Sequence, residues 1–378
     1  MHKSILYLIS EDWYFWSHRL ATARAAQRKG YQINIATVVN EHGEQIKREG
    51  FNLFPISMNR SGVNPFNDLL TIAELTKIYN KVKPDIVHHV ALKPVIYGSI
   101  AAKISKVPAI VNTLTGLGHI FSANGPKVRT IRRIVEMGLY FALANNRSVT
   151  IFQNPDDMDL FVKKRLIKSS QAILIKGSGV DTSLFKSSDH EYRGKPLVLM
   201  LSRMLKTKGI DDFVKAADII QSKGLSVRMV IAGKQDSKNP ASLTDQELSQ
   251  LKKSGVVEYL GYVEDIPSLL KQTTLVVLPS KYGEGIPKSL IEAASAAKAI
   301  ISYDIPGCRE IVRNSYNGIL VKSGDINGLA EAVITLINDP VKIAKFGVNG
   351  RKLVEAEFSE KLILSKILDI YEHGFVSK

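Results

Sequence analysis

A single cysteine, Cys308, serves the whole of a 378-residue chain. One thiol closes no intramolecular disulfide and builds no cysteine zinc site, which implies a reducing compartment. Long apolar runs are missing too: no window reaches the ~18 uninterrupted apolar residues of a spanning helix. The opening stretch is apolar only as far as Glu11 and Asp12, which reads as a first strand rather than a secretory leader. No G-x-G-x-x-G turn follows that strand, so a dehydrogenase is poorly supported. Metal-ligand spacing is absent as well. His88 and His89 are adjacent in a strand and face opposite ways. Asn154-Pro-Asp-Asp-Met-Asp159 reads as a helix start, with Asn154 as the N-cap and acids where the dipole favours them.

Positive charge is what the chain has in excess. The formal net charge is +15. Residues 1–190 hold 25 basic and 14 acidic side chains, and residues 191–378 hold 26 and 22. An excess concentrated in the first half implies an anionic partner, either nucleic acid or a membrane surface. No nucleic-acid recognition motif accompanies the charge, which disfavours the first. The densest basic segment is 125–144, where Pro126 starts a helix with Lys127, Arg129, Arg132 and Arg133 near one end and an apolar stretch behind them. Such a helix suits an anionic bilayer, although a core helix with a wet end has the same pattern. Arg129, Arg132 and Arg133 are the membrane-contact candidates.

The length favours two domains. In each half, short apolar runs alternate with helical patterns, which predicts parallel sheets covered by helices on both faces. Candidate strands in the first half are 5–9, 33–38, 53–56, 86–90, 109–114, 149–152 and 172–175. Those in the second are 197–201, 227–232, 257–260 and 274–278. Boundaries are placed at 1–186 and 187–358, with 186–195 as a linker and 359–378 as a terminal amphipathic helix. Ligands of such sheets collect at the carboxyl ends of the strands. In the first half those ends carry the aromatic stretch Ser10–His18, read as a loop, then Lys93 after the two histidines, and Thr115-Gly-Leu-Gly-His119. The two tryptophans of the first stretch would stack on a sugar, dip into lipid headgroups, or pack the loop.

The second half is organised around Lys281-Tyr-Gly-Glu-Gly-Ile-Pro-Lys-Ser-Leu-Ile-Glu-Ala-Ala-Ser295, a loop and helix after an apolar strand. Side chains on a helix lean toward its N-terminus, so Glu292 points back toward the volume that Glu284 reaches, with Lys288 between them. Two carboxylates, free amides and a lysine at one place suit a phosphorylated polyol. On spacing alone, acids that merely answer the helix dipole are the simpler reading.

The pattern Glu284-x7-Glu292, with Gly285 and Pro287-Lys288 inside it, resembles the donor-site signature of retaining glycosyltransferases of family 4, which have the GT-B fold. The resemblance extends through Arg203-x4-Lys208-Gly209, Gly233-Lys234, Gly261-Tyr-Val263 and Gly179-Val-Asp181, and thus over most of the chain. The run Trp13-Tyr-Phe-Trp-Ser-His18 is similar to a capsule and O-antigen branch of the family. What the resemblance implies is an α/β architecture of two Rossmann-like domains facing a central cleft, with the C-terminal helix crossing back to the first. It implies transfer from a UDP-sugar, N-acetylhexosamine before hexose, to an undecaprenyl-diphosphate-linked sugar on the cytoplasmic face of the inner membrane, with no metal or other cofactor.

By the same resemblance, Arg203 and Lys208 hold the diphosphate, Gly233 and Val263 border the nucleoside, and Glu292 holds the ribose. Glu284, Gly285, Ile286, Pro287 and Lys288 surround the sugar. His18, Lys93, Thr115, Gly116 and His119 form the acceptor side, with Thr115 at the position of the family's histidine and His119 four residues later. A GT-B epimerase and a non-catalytic nucleotide-sugar or polysaccharide-binding protein remain as rivals.

Overall fold

The computed structural model describes residues 3–59, 64–117, 121, 125–186, 194–283 and 285–375. The linker read at 186–195 falls largely outside them. The chain divides into two compact units, Met1–Ser178 together with Lys361–Lys378, and Gly179–Glu360.

The first unit is built on a seven-stranded parallel sheet in the order β3-β2-β1-β4-β5-β6-β7. Its strands are β1 (Ser4–Glu11), β2 (Gln32–Val38), β3 (Asn52–Pro55), β4 (Ile86–Val90), β5 (Ala109–Leu114), β6 (Ser148–Phe152) and β7 (Ala172–Leu174). β4, β5 and β6 are buried at every position, as expected for parallel strands covered on both faces. The C-terminal helix Glu360–His373 belongs to this unit. It sets Ile363, Ile367, Ile370 and Tyr371 into the same core cluster as Ile5, Tyr7 and Ile33, and each such buried isoleucine contributes roughly 1.5–3 kcal/mol.

The aromatic stretch after β1 differs from the loop expected of it. β1 runs to Glu11 and passes directly into a helix, Asp12–His18. Its first turn is pinned by the buried Asp12 carboxylate, which accepts the backbone N–H groups of Asn40 (2.7 Å) and His42 (2.8 Å) beyond β2. Phe15 is fully buried beneath it. Asn154 caps the helix Pro155–Lys163, its side chain accepting from Asp157 N–H at 2.8 Å.

The second unit repeats the scheme in six parallel strands, ordered β10-β9-β8-β11-β12-β13. They are β8 (Leu197–Leu201), β9 (Arg228–Ala232), β10 (Glu258–Gly261), β11 (Leu275–Leu278), β12 (Ala299–Tyr303) and β13 (Gly318–Val321). Residues 179–186 pack here, because Arg351 donates to the backbone carbonyls of Thr182 and Phe185. Two parallel Rossmann-like sheets and a C-terminal helix docked on the first are the GT-B architecture. Among the described residues no helix is long and apolar enough to cross a membrane.

Candidate active site

In the second sheet the strand order reverses between β8 and β11. At such a reversal the loops leave in opposite directions and open a crevice at the carboxyl ends of the strands. Both loops carry residues singled out above. After β8 come Arg203 and, at the end of a short turn Lys206–Lys208, Lys208. After β11 come Lys281 and the stretch that leads to the helix Lys288–Ser295.

These loops are fastened to one another. The N–H of Lys281 donates to the carbonyl of Thr207 at 2.9 Å. Gly209 has φ +79° and lies so close to the other loop that a Cβ would stand 1.9 Å from the carbonyl oxygen of Pro279. Gly233, at the tip of β9, does the same service on the other side: a Cβ there would stand 1.7 Å from the carbonyl oxygen of Ser202. Its N–H donates to Gly261 at 2.8 Å, so the tips of β8, β9 and β10 converge around Arg203. Val263 lies two residues beyond β10, half-buried against the core.

Arg203 is held by a group that sequence reading missed. Its Nη1 is 2.5 Å from Oδ2 of Asp236, which orients a guanidinium whose fork suits phosphate oxygens. Lys206, next to the predicted Lys208, turns instead to Glu247 at 2.5 Å. Along the helix Lys288–Ser295, Lys288 Nζ stands 3.7 Å from Glu292 Oε1. Burial pushes the Glu292 carboxyl up from its ordinary pKa, and the charge of Lys288 opposes that shift. Gly285, Ile286 and Pro287 are buried at the helix start. Glu284 lies outside the described residues.

A second missed group is Asp212, 3% exposed in the first turn of the helix Ile210–Ser222. Its Oδ1 is 2.6 Å from Nζ of Lys281, and its Oδ2 accepts from the hydroxyl of Tyr303 at 2.8 Å. Burial, then the hydrogen bond to Asp212, raises the pKa of Tyr303, so it stays a donor. From sequence, Asp211 and Asp212 show only the acid bias of a helix start.

In the first sheet the order reverses between β1 and β4, and the acceptor candidates follow these strands and the adjacent β5 in sequence. His18 stacks on Tyr14 at 4.2 Å, with Ser17 Oγ 2.6 Å from its Nδ1. Lys93, in the first turn of the helix Leu92–Ile104, donates to the carbonyl of Asn59 at 2.7 Å. Burial lowers its pKa, with Asp68 opposing. Thr115 and Gly116 follow β5, both half-buried. His119 lies outside the described residues.

His88 and His89 do face opposite sides of the sheet, and both are fully buried. His88 Nδ1 meets Tyr371 Oη at 2.6 Å and its Nε2 meets Thr113 Oγ1 at 2.7 Å. His89 Nε2 meets Tyr79 Oη at 3.1 Å and its Nδ1 meets Asn112 Oδ1 at 2.9 Å. They are core hydrogen-bonding groups. In the helix Pro126–Leu143, Arg129 and Arg133 are exposed and Arg132 is half-buried.

Two family models match, one described as "Glycosyl transferases group 1" over residues 182–353 and one described as "Glycosyl transferase 4-like" over residues 4–150. The chain is 26% identical, over 94% of both sequences, to N,N'-diacetylbacillosaminyl-diphospho-undecaprenol alpha-1,3-N-acetylgalactosaminyltransferase of Campylobacter jejuni. It is 27% identical, over 84% of its length and 82% of the relative, to UDP-Gal:alpha-D-GlcNAc-diphosphoundecaprenol alpha-1,3-galactosyltransferase of Escherichia coli. In structure it is similar to sucrose-phosphate synthase of Thermosynechococcus elongatus, with TM-score 0.79 and 17% identity over 99% of both chains. That likeness bears on the fold. With one family model on each unit and relatives aligned along nearly the whole chain, the protein belongs to the GT-B glycosyltransferases, related to family 4 members of capsule, O-antigen and lipid-linked glycan assembly.

Proposed function

We propose that this glycosyltransferase moves an N-acetylhexosamine, N-acetylgalactosamine before others, from a UDP-sugar to a sugar carried on undecaprenyl diphosphate, with retention of anomeric configuration. The observation that carries the reading is the strand reversal of the second sheet, after whose two strands come the segments that bear Arg203 and Lys208 on one side and the Lys288–Glu292 pair on the other. The choice of N-acetylgalactosamine is supported by the activity of the Campylobacter relative. The diphosphoundecaprenol-linked acceptor is supported by that of both the Campylobacter and the Escherichia relatives, the latter a galactosyltransferase that uses UDP-Gal.

In this reading Arg203, Lys208 and the amides at the start of helix Lys288–Ser295 hold the diphosphate, and Glu292 accepts from the ribose hydroxyls. Gly233 and Val263 border the nucleoside, while Glu284, Gly285, Ile286 and Pro287 surround the sugar. The acceptor hydroxyl attacks the anomeric carbon on the face that the diphosphate leaves. The C1–O bond to phosphate breaks as the new glycosidic bond forms, and a phosphate oxygen takes the acceptor's proton. Fixed positive groups around the leaving diphosphate stabilise its growing charge. His18, Lys93, Thr115, Gly116 and His119 form the acceptor side. Arg129, Arg132 and Arg133 rest on the anionic inner face of the cytoplasmic membrane, from which the lipid-linked substrate is drawn.

The test is nucleoside diphosphate release from a panel of UDP- and GDP-sugars in EDTA, with and without lipid-diphosphate-linked sugars. Release that needs one donor and the lipid-linked acceptor is expected. Donor binding without release under any pairing favours the binding-protein reading, and conversion of the sugar without acceptor favours the epimerase.

A further inference from the structure

Helical spacing usually turns apolar side chains inward, and two helices of the first unit depart from this. On the helix Pro65–Val82, Phe66, Leu69 and Leu70 are 70%, 66% and 54% exposed. On Pro126–Leu143, Ile134, Met137 and Phe141 form an outward stripe, each more than half exposed. Between them runs Leu92–Ile104, which packs against both and ends on the exposed Ile104. Among the described residues of this unit, Val39 is the one large exposed apolar side chain not carried by these three helices. Monomeric proteins seldom leave so much apolar surface on one layer uncovered.

The charges of this layer are sorted by sign. Its helices carry three acids in all, and each has a partner. Asp68 bonds the hydroxyl of Tyr97, Glu74 accepts the N–H of Ser57 at 3.0 Å, and Glu136 pairs with Lys164 at 2.7 Å. Lys77, Lys81, Arg129 and Arg133 are exposed. A second copy of the chain seated on this face would set those cations against their own kind. An anionic lipid surface matches them and accepts the apolar side chains below its phosphates.

We propose that the three helices form one membrane-seated layer, in which Phe66, Leu69 and Leu70 are an insertion point separate from the basic helix Pro126–Leu143. The middle helix opens at Lys93, in the proposed acceptor region, so the layer brings that end of the sheet to the bilayer. This inference rests on the lipid-linked acceptor for its purpose and on the surface alone for its substance.

The experiment is co-sedimentation of the full chain with vesicles of phosphatidylglycerol and phosphatidylcholine, alongside light scattering of the protein alone. Phe66→Ser with Leu70→Ser should lower partitioning about tenfold or more, since both side chains would otherwise leave water for the acyl region. Arg129→Ala with Arg133→Ala should lower it and flatten its salt dependence. An arginine effect with none from Phe66 and Leu70 overturns the layer. So does wild-type protein that ignores vesicles but forms dimers lost in the Phe66 and Leu70 variant. Vesicle binding by a wild type that releases no nucleotide from any donor would leave the layer standing and sink the transfer reaction proposed above.

Discussion

Replacing Gly209 by alanine should separate the donor site from the fold that supports it. Gly209 has φ +79° and ψ 30°, a left-handed conformation that costs a residue with a Cβ about 1 kcal/mol. The added Cβ would also stand 1.9 Å from the carbonyl oxygen of Pro279, against a floor of 3.0 Å that real contacts respect. The two loops must then part by about 1 Å. That movement strains the bond from Lys281 N–H to the Thr207 carbonyl, worth about 1 kcal/mol.

The sum is roughly 2–3 kcal/mol, or a midpoint lower by about 5–10 °C for a unit of this size. A 1 Å displacement of Lys208 from the diphosphate should weaken UDP binding at least about tenfold. Gly224→Ala is the control, since Gly224 has φ +74° with nothing within 4 Å of the added Cβ. It should lose only the ~1 kcal/mol of backbone strain and bind UDP as the wild type does. Thermal melts with and without UDP, together with calorimetric titration, make the comparison. Equal melting points and equal UDP affinities for the two variants would refute the reasoning.

Glu284→Gln and Lys208→Ala are each expected to lower turnover at least ~100-fold in folded protein; wild-type rates from variants with native circular dichroism would remove them from the site. For Glu292, burial raises the folded pKa above the usual 4.5, so ionising it at neutral pH opposes folding, and stability falls as pH rises through that raised value. Glu292→Gln should therefore hold or gain melting temperature at pH 7 while UDP binds more weakly, and a variant with unchanged UDP affinity would count against the ribose role. Lys281→Met should lower kcat several-fold with UDP affinity intact, and Lys281→Arg should restore it; equal losses in both variants would make the Asp212 pair irrelevant to turnover. Burial holds His88 well below 6.5 and His89 at about 4, so both stabilise the fold above pH 6.5 and the gain is lost as pH falls. For His89 the loss approaches about 3 kcal/mol near pH 4, and a denaturant midpoint of His89→Gln with the same acid dependence as wild type would contradict it.

What could be read from the chain beforehand follows from which interactions are local in sequence. Parallel strands buried on both faces announce themselves as short apolar runs, so β4 and β5 stand where they were expected. The helix Asp12–His18 did not, because its two buried residues, Asp12 and Phe15, are too few to make a stripe, and the acids before it look like a loop. The opposite facing of His88 and His89 follows from strand alternation. Their partners do not: Tyr371 lies 283 residues from His88, and no local pattern predicts that pairing.

The same distinction explains why the donor half is more readable than the acceptor half. Diphosphate recognition uses a charged residue beside a strand tip and the amides of the helix that follows, so Arg203-x4-Lys208 and Lys288-x3-Glu292 are compact in sequence. What orients them is not compact. Asp236 reaches Arg203 across 33 residues, and Asp212 reaches Lys281 from the first turn of the helix Ile210–Ser222. In the first unit even the candidate groups are dispersed: His18, Lys93 and Thr115 follow three different strands, and each side chain alone has an ordinary structural use. The apolar layer behaves likewise. The stripe of Phe66, Leu69 and Leu70 has the spacing of any amphipathic helix, and only the burial of the opposite side, with Thr71, Leu75 and Tyr79 turned inward, shows that this stripe is the outer one. Periodicity reports that a helix has an apolar side; the packing around it decides whether that side is core or contact surface.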